Sequence, residues 1–400
     1  MSQTTTGSGA PAQSAASLPR RPLLLLAFAA FWTVTLELLP AGLLPAMSED
    51  LAVRPSRVGL LVTAWAVTVA LTSIPLTRAT RRLGGPATLG LALGALGVST
   101  MLTALAPGYG AVVLSRLVAA AGHGLFWSVV MVYAASIAPQ GRQARAIAVV
   151  NTGPLLASAV GLPLGTALGD LFGWRLVMGV IAIAMVVGGV ALRASLPDST
   201  HRAETAPTGR RDPTAVPVVL TALLGALALL AHFAVFTFVG PLAAGQWGLG
   251  EGSVTGLLLV FGTTGAFGLG MAGLFGDRRP RGMLAGAILA LAVLFVLLAV
   301  PWKWPLMTFV GVAGWGVLLG VLPPLLQNVV IGAASPGYRR AAGSVLVATF
   351  NLGIAAGAMA GGLVLDHLGL SRLLPVAAAA ALASAAGLSA MRRRHGSPDS

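Results

Sequence analysis

Residues 23–46 form an apolar run that carries a single charge, Glu37. Eleven comparable runs follow, near 57–77, 84–106, 109–138, 144–170, 173–195, 216–243, 252–276, 282–301, 304–333, 341–366 and 369–391. A helix rises 1.5 Å per residue, so about 20 apolar residues cross a hydrocarbon core about 30 Å thick. Each run reaches that length, and the expected fold is an all-α membrane protein with twelve transmembrane helices. Composition agrees. Charged residues are 9% and hydrophobic residues 56% of the 400, whereas a soluble domain carries about 25% charged residues.

Residues 1–19 are rich in Ser, Thr, Gly, Ala and Gln and read as a disordered tail. The first apolar run is too long for a signal-peptide core and is expected to stay as a helix. Cysteine is absent, which excludes disulfides, thiolate chemistry and Cys-based metal sites. No carboxylate pair or His-Glu cluster suggests a metal or hydrolytic site, and no P-loop is present, so neither metal, cofactor nor ATP is expected. The net charge of +14 does not point to nucleic acid, because the basic residues lie in short clusters between apolar runs.

Those clusters fix an orientation. With the N-terminus in the cytoplasm, the cytoplasmic segments hold 19 Arg, among them Arg20, Arg21, Arg78, Arg81, Arg82, Arg142, Arg145, Arg339 and Arg340. The outer segments hold only five basic residues, Arg54, Arg57, Arg175, Lys303 and Arg372. The positive-inside rule then places both termini in the cytoplasm. Trp302 and Trp304, beside Lys303, read as interfacial anchors.

The longest polar interruption, about 197–213, splits the runs into two sets of six. Sliding the chain against itself by about 197 residues brings Ser56 and Gly59 onto Ser253 and Gly256, and Arg81-Arg82 onto Arg278-Arg279. A shift of 196 brings Gly161, Gly165, Asp170 and Gly173 onto Gly357, Gly361, Asp366 and Gly369. Such matches, each at the same place in the helix order, indicate a duplicated six-helix unit in parallel orientation. That is the arrangement of the major facilitator fold, two pseudo-symmetric six-helix bundles. The expected organisation is a cytoplasmic tail at 1–19, bundles at 20–195 and 215–391, a cytoplasmic linker at 196–214 and a tail at 392–400.

Motifs carry a more specific resemblance. GLFGDRRPR, Gly273 to Arg281, resembles the superfamily's loop motif between helices 2 and 3 in its second-half copy. The resemblance implies a cytoplasmic latch from Asp277 with Arg278, Arg279 and Arg281. The first-half copy, Pro75 to Gly85, keeps Arg78, Arg81 and Arg82 but has Thr80 where the family often has Asp. GLPLGTALGDLFGWR, Gly161 to Arg175, resembles the helix 5 motif typical of antiporters, with Gly161, Pro163 and Gly165. ELLPAGLLP, PLTR and HGLFWS resemble the twelve-helix drug/proton antiporters. Among these the chain is most similar to arabinose- and sugar-efflux-type permeases, a group that also holds nucleoside and chloramphenicol exporters. Ala121 stands before Gly122 where drug exporters commonly have Gln, which favours that branch. The resemblance implies a monomeric transporter in the bacterial inner membrane.

Glu37 lies about 14 residues into its run, roughly 21 Å up the core, and Arg116 on the fourth run lies at a matching depth. In the fold this chain resembles, helices 1 and 4 line the central cavity. A charge in the membrane interior costs from about 3 kcal/mol upward, so an unpaired one is retained for function. Glu37 is therefore read as a proton-sensitive group, with Arg116 as its charge partner or as half of a fixed structural pair. His123 and His232 are further candidates for the same cavity. Asn151, Gln327, Asn328 and Asn351 are candidates for substrate contact or interhelical hydrogen bonds. Trp32, Trp65, Phe126, Trp127, Phe233, Phe236 and Phe238 are candidate aromatic walls. Pro154, Pro163, Pro323 and Pro324 are expected to interrupt helices 5 and 10. Gly268 to Gly273 matches GxGxxG, but it lies in a membrane run with no strand before it and is not read as a nucleotide site.

The leading expectation is proton-coupled efflux of a small organic molecule such as a sugar, a nucleoside or a drug. The alternatives are an uncoupled facilitator or importer, or a membrane sensor that has lost transport.

Overall fold

The computed structural model of the chain describes residues 18–139, 142–197, 212–250, 252–275, 280–300 and 304–394. Among these, twelve helices are long and apolar enough to cross a membrane. The first six are α1 (Arg20–Gly42), α2 (Pro55–Ala79), α3 (Gly85–Ala104), α4 (Tyr109–Ser136), α5 (Arg145–Phe172) and α6 (Trp174–Ser195). The second six are α7 (Ala215–Phe236), α8 (Ser253–Ala272), α9 (Pro280–Ala299), α10 (Pro305–Ala333), α11 (Ala341–His367) and α12 (Leu370–Met391). No strand occurs among the described residues. The expected helix number and order hold.

Three expectations need correction. The run 23–46 is not one helix: α1 ends at Gly42, and a short helix, Leu44–Asp50, follows with Pro45 in its first turn. Proline sits well at a helix start, where its missing N–H costs nothing. The run 216–243 likewise breaks after Phe236, resumes at Val239–Pro241 and passes into a wide π-helical turn at Leu242–Gln246. Pro323 and Pro324 do not interrupt α10, which stays α-helical through both and loses only two rungs of its ladder. In α5 the expected irregularity is present. A π-helical turn at Ala157–Gly161 lies between Pro154 and Pro163, neither of which can donate a backbone N–H.

Small residues decide which helices meet. In the second bundle, a Cβ added at Gly353, Gly357 or Gly361 would stand 2.6 Å from the carbonyl oxygen of Ala226, Leu230 or Ala234 respectively. The four-residue step on both partners lets α11 lie directly on the backbone of α7, as small residues permit in membranes. In the first bundle Gly153 lies on the Ala27 carbonyl of α1, while Gly161 and Gly165 meet the side chains of Thr35 and Leu39. Gly161 and Gly165 of α5 and Gly357 and Gly361 of α11, related by the shift of 196 residues, thus face α1 and α7 respectively. α3 packs on α6, and α9 on α12, at the periphery.

Two seams join the bundles, α2 against α11 and α5 against α8. The repeat carries α2 onto α8 and α5 onto α11, so these are one contact made twice. The close contacts across the seams lie toward the end of the molecule poor in arginine. Gly59 and Gly362 form a notch around Phe238, Thr63 Oγ1 donates to the Ala355 carbonyl at 3.0 Å, and Gly262 lies on the Ser158 carbonyl. The closest seam contacts thus lie at one end, which they hold closed. Gly262→Val is expected to wedge the closed end open while leaving both bundles folded. Distances between spin labels at Ser56 and Gly362 would lengthen in the variant, and unchanged distances would refute the wedge.

Loops are tied within each bundle. Asp50 accepts from Trp174 Nε1 at 3.1 Å and pairs with Arg175 at 2.9 Å, while Arg175 also donates to the Ala104 and Ala106 carbonyls. Arg175, expected only as an orienting charge, thus joins three loops of the first bundle. At the equivalent place in the second, Gln246 and Trp247 donate to the carbonyls of Ala299 and Leu298. At the arginine-rich end, Asp212 accepts from Ser335 and Thr214, which hold its carboxyl below the usual carboxylate range.

Candidate functional site in the bundle interface

Glu37 sits on α1, two residues before Leu39 and three before Pro40, and faces a cavity between the bundles. Leu38, Ala41, Val62 and Trp65 complete the first-bundle wall. Phe233, Phe236, Thr237 and Ile354 form the opposite wall. Each bundle contributes roughly half of the lining, so any movement of one bundle against the other changes what Glu37 faces.

The carboxylate does not meet the residue that depth suggested. Glu37 Oε2 lies 3.5 Å from His123 Nε2 on α4, and Arg116 is not within ion-pair distance of it. Arg116, 2% exposed, places its guanidinium over the Trp65 ring at 4.6 Å instead. A cation over an indole face gains electrostatic attraction, and more so when desolvated. His123, 5% exposed, packs edge-on to the same Trp65 ring, centroids 5.2 Å apart, with Trp127 beyond it at 6.1 Å. Glu37, His123, Trp65 and Arg116 therefore form one cluster. α4 reaches this depth because Gly122 lies against α3 and Gly124 against Ser73 and Val69 of α2.

His232 lies elsewhere. Its Nδ1 accepts from Trp315 Nε1 at 3.1 Å, and Phe233, Phe236 and Phe261 surround its ring. It sits one ring behind the cavity wall and is not joined to Glu37 in the described structure. Of the other expected aromatic walls, Trp65, Phe233 and Phe236 line the cavity. Phe126 is buried in the first bundle, Trp32 packs against Phe28 and Phe31, and Phe238 fills the seam. Asn151, Gln327 and Asn328 are exposed, and Asn351 donates to the Val347 carbonyl of its own helix. The latch residues Asp277, Arg278 and Arg279 lie outside the described residues. Arg78, Arg81, Arg82 and Arg281 are exposed at the arginine-rich end. Thr237 of the cavity wall went unnoticed in the sequence, because a lone Thr in an apolar run is ordinary.

The chemistry available here is proton exchange and hydrogen bonding. A carboxylate lines an aromatic-walled cavity, an imidazole and a guanidinium pack behind that wall, and no group of three or more His, Asp or Glu that could hold a metal occurs among the described residues.

Comparisons with known proteins place this geometry in context. Residues 23–358 match the family model described as Major Facilitator Superfamily. The inner membrane transport protein YdhP of Escherichia coli O157:H7 is 32% identical over 355 residues, covering 86% of this chain and 89% of that protein. A chloramphenicol efflux pump of Mycobacterium tuberculosis is 30% identical over 355 residues, covering 86% of each chain. Among solved structures, a bacterial homologue of the human lysosomal transporter Spinster, in an inward-facing and occupied conformation, superposes with a TM-score of 0.73. It is 17% identical and covers 95% of this chain and 98% of its own. A peptide transporter bound to alafosfalin gives a TM-score of 0.74 at 15% identity, covering 94% of this chain and 95% of its own.

Proposed function

The chain belongs to the major facilitator superfamily of membrane transporters, and from that premise we propose that it exports a small organic molecule in exchange for protons. The observation that carries the reading is the buried Glu37–His123 contact at 3.5 Å in a cavity walled by both bundles. Glu37 is the proton carrier. Proton binding removes its negative charge and frees His123, and the cavity opens to one side or the other as the seams exchange. Arg116, stacked on Trp65, is the cationic group of the cluster. The similarity to a chloramphenicol efflux pump makes amphenicol antibiotics the first substrates to test, ahead of sugars and nucleosides.

The membrane assigned is the bacterial inner membrane, with a monomer as the working unit and both termini in the cytoplasm. The arginine asymmetry supports that orientation. The arginine-rich end then faces the cytoplasm, where an exporter loads. Asp277, with Arg278, Arg279 and Arg281, is assigned to the latch that closes this end, together with Arg78, Arg81 and Arg82 of the first-half copy of the motif. A reporter fused after Arg394 should be active only in the cytoplasm, and activity at the outer side alone would reverse the assignment.

The test of coupling uses proteoliposomes loaded with a candidate substrate. An imposed proton gradient should drive the substrate uphill, and an uncoupler should stop it. Downhill movement that ignores the uncoupler would make the protein a facilitator.

A further inference from the structure

The polar groups of the cluster are not balanced. Arg116 Nε and Nη2, Trp65 Nε1, Thr237 Oγ1 and His123 Nδ1 are buried and have no hydrogen-bond partner. Glu37, the acidic group of the cavity, is already faced by His123. Buried polar groups are nearly always paired, and those left over in a ligand cavity mark what the ligand supplies. Four of these five atoms carry N–H or O–H donors, on the walls themselves or immediately behind them, and the guanidinium can only donate.

The second bundle reverses this chemistry. At the shift of 196 residues, Phe233 stands in place of Glu37, Phe261 in place of Trp65, Val312 in place of Arg116 and Leu319 in place of His123. The packing supports that register: Gly124 lies on Val69 and Ser73 of α2, and Gly320 on Gly265 and Leu269 of α8, each 196 residues on. The first-bundle side therefore carries the indole donor with the cation behind it, and the second-bundle side carries flat apolar rings with one hydroxyl, that of Thr237.

We infer that the occupant is a neutral or singly anionic molecule with a flat apolar body and oxygen acceptors at one end. The acceptors meet Trp65, Thr237 and Arg116, and the body lies on Phe233 and Phe236. Lipophilic cations are selected against, because the buried Arg116 repels them and Glu37 is held by His123. This inference rests on the reading that the cavity is the transport site.

The test is equilibrium binding to the purified chain in nanodiscs, with no proton gradient, using 2-naphthamide, 2-naphthoate and 2-naphthyltrimethylammonium. The amide and the carboxylate are expected to bind about tenfold or more tightly than the ammonium, a difference well within the range set by a few hydrogen bonds. Thr237→Val, which removes a hydroxyl at constant shape and disturbs no buried charge, should weaken the amide several-fold and leave the ammonium unchanged. Arg116→Met should remove the preference for the carboxylate. Equal or tighter ammonium binding, no measurable binding of either acceptor probe, or an order unchanged in both variants overturns the inference. Binding is read without transport, so a failure of proton coupling leaves this result standing, and the converse also holds.

Discussion

Proteoliposomes carrying Glu37→Gln are expected to lose all proton-driven substrate accumulation while the protein still folds and exchanges substrate down its gradient. Glutamine keeps the size of the side chain and can still hydrogen-bond His123 Nε2, 3.5 Å from the native carboxylate. What it removes is the ability to gain and lose a proton. If the carboxylate is the carrier, uphill movement falls to background and the rate of downhill exchange no longer depends on pH. Glu37→Asp retains a titratable group one methylene shorter and should keep part of the coupling. Exchange separates a coupling defect from a folding defect, because a misfolded chain would lose both activities. Uphill transport that survives in Glu37→Gln would move the proton to another group, and His123 would be the next to substitute.

The second large effect concerns assembly. Gly357→Ala should destabilise the second bundle, and Gly357→Val should do so further, to the point of losing monodisperse protein in detergent. The added methyl would stand 2.6 Å from the Leu230 carbonyl oxygen and 2.9 Å from the Phe233 Cβ, so backbone rather than a flexible side chain must give way. Overpacking of this kind costs about 1–3 kcal/mol. Displacing Phe233 would also disturb the cavity wall. Gly94, on α3, is the control. A Cβ there meets nothing within 4 Å, so Gly94→Ala should be neutral or stabilising, by up to about 1 kcal/mol from helix propensity. Melting temperatures of the purified variants decide between them. Equal shifts at Gly357 and Gly94 would mean that close helix approach is not what these glycines serve.

Much of the architecture was legible before any coordinates. Membrane thickness converts the length of an apolar run into a helix, so twelve runs became twelve spans. The shift of 196 residues already related α5 to α11, and the glycines on it proved to be the contact points with α1 and α7. Glu37 stood out because a charge inside such a run carries a cost that chance does not sustain. Two of the errors share a cause. Reading through Leu43 and past Phe236 treated apolar character as helix, although Pro45 and Pro241 set the backbone there.

Side-chain partners were decided only by tertiary structure. Counting residues along an axis gives depth, and by depth Arg116 matches Glu37. It gives neither the rotation of α4 nor the direction of a long side chain. Those follow from Gly122 and Gly124 seating α4 on α3 and α2, which turns His123 toward the carboxylate and lays Arg116 over Trp65. The same holds for His232, whose depth suited the cavity but whose ring is held behind it by Trp315. It holds also for Asp50 and Arg175, 125 residues apart, which meet because three loops converge at one end of the first bundle. One-dimensional order in a membrane chain determines how many helices there are and how deep each residue lies. Azimuth, seam and partner depend on contacts between helices distant in sequence, and those exist only once the bundles have assembled.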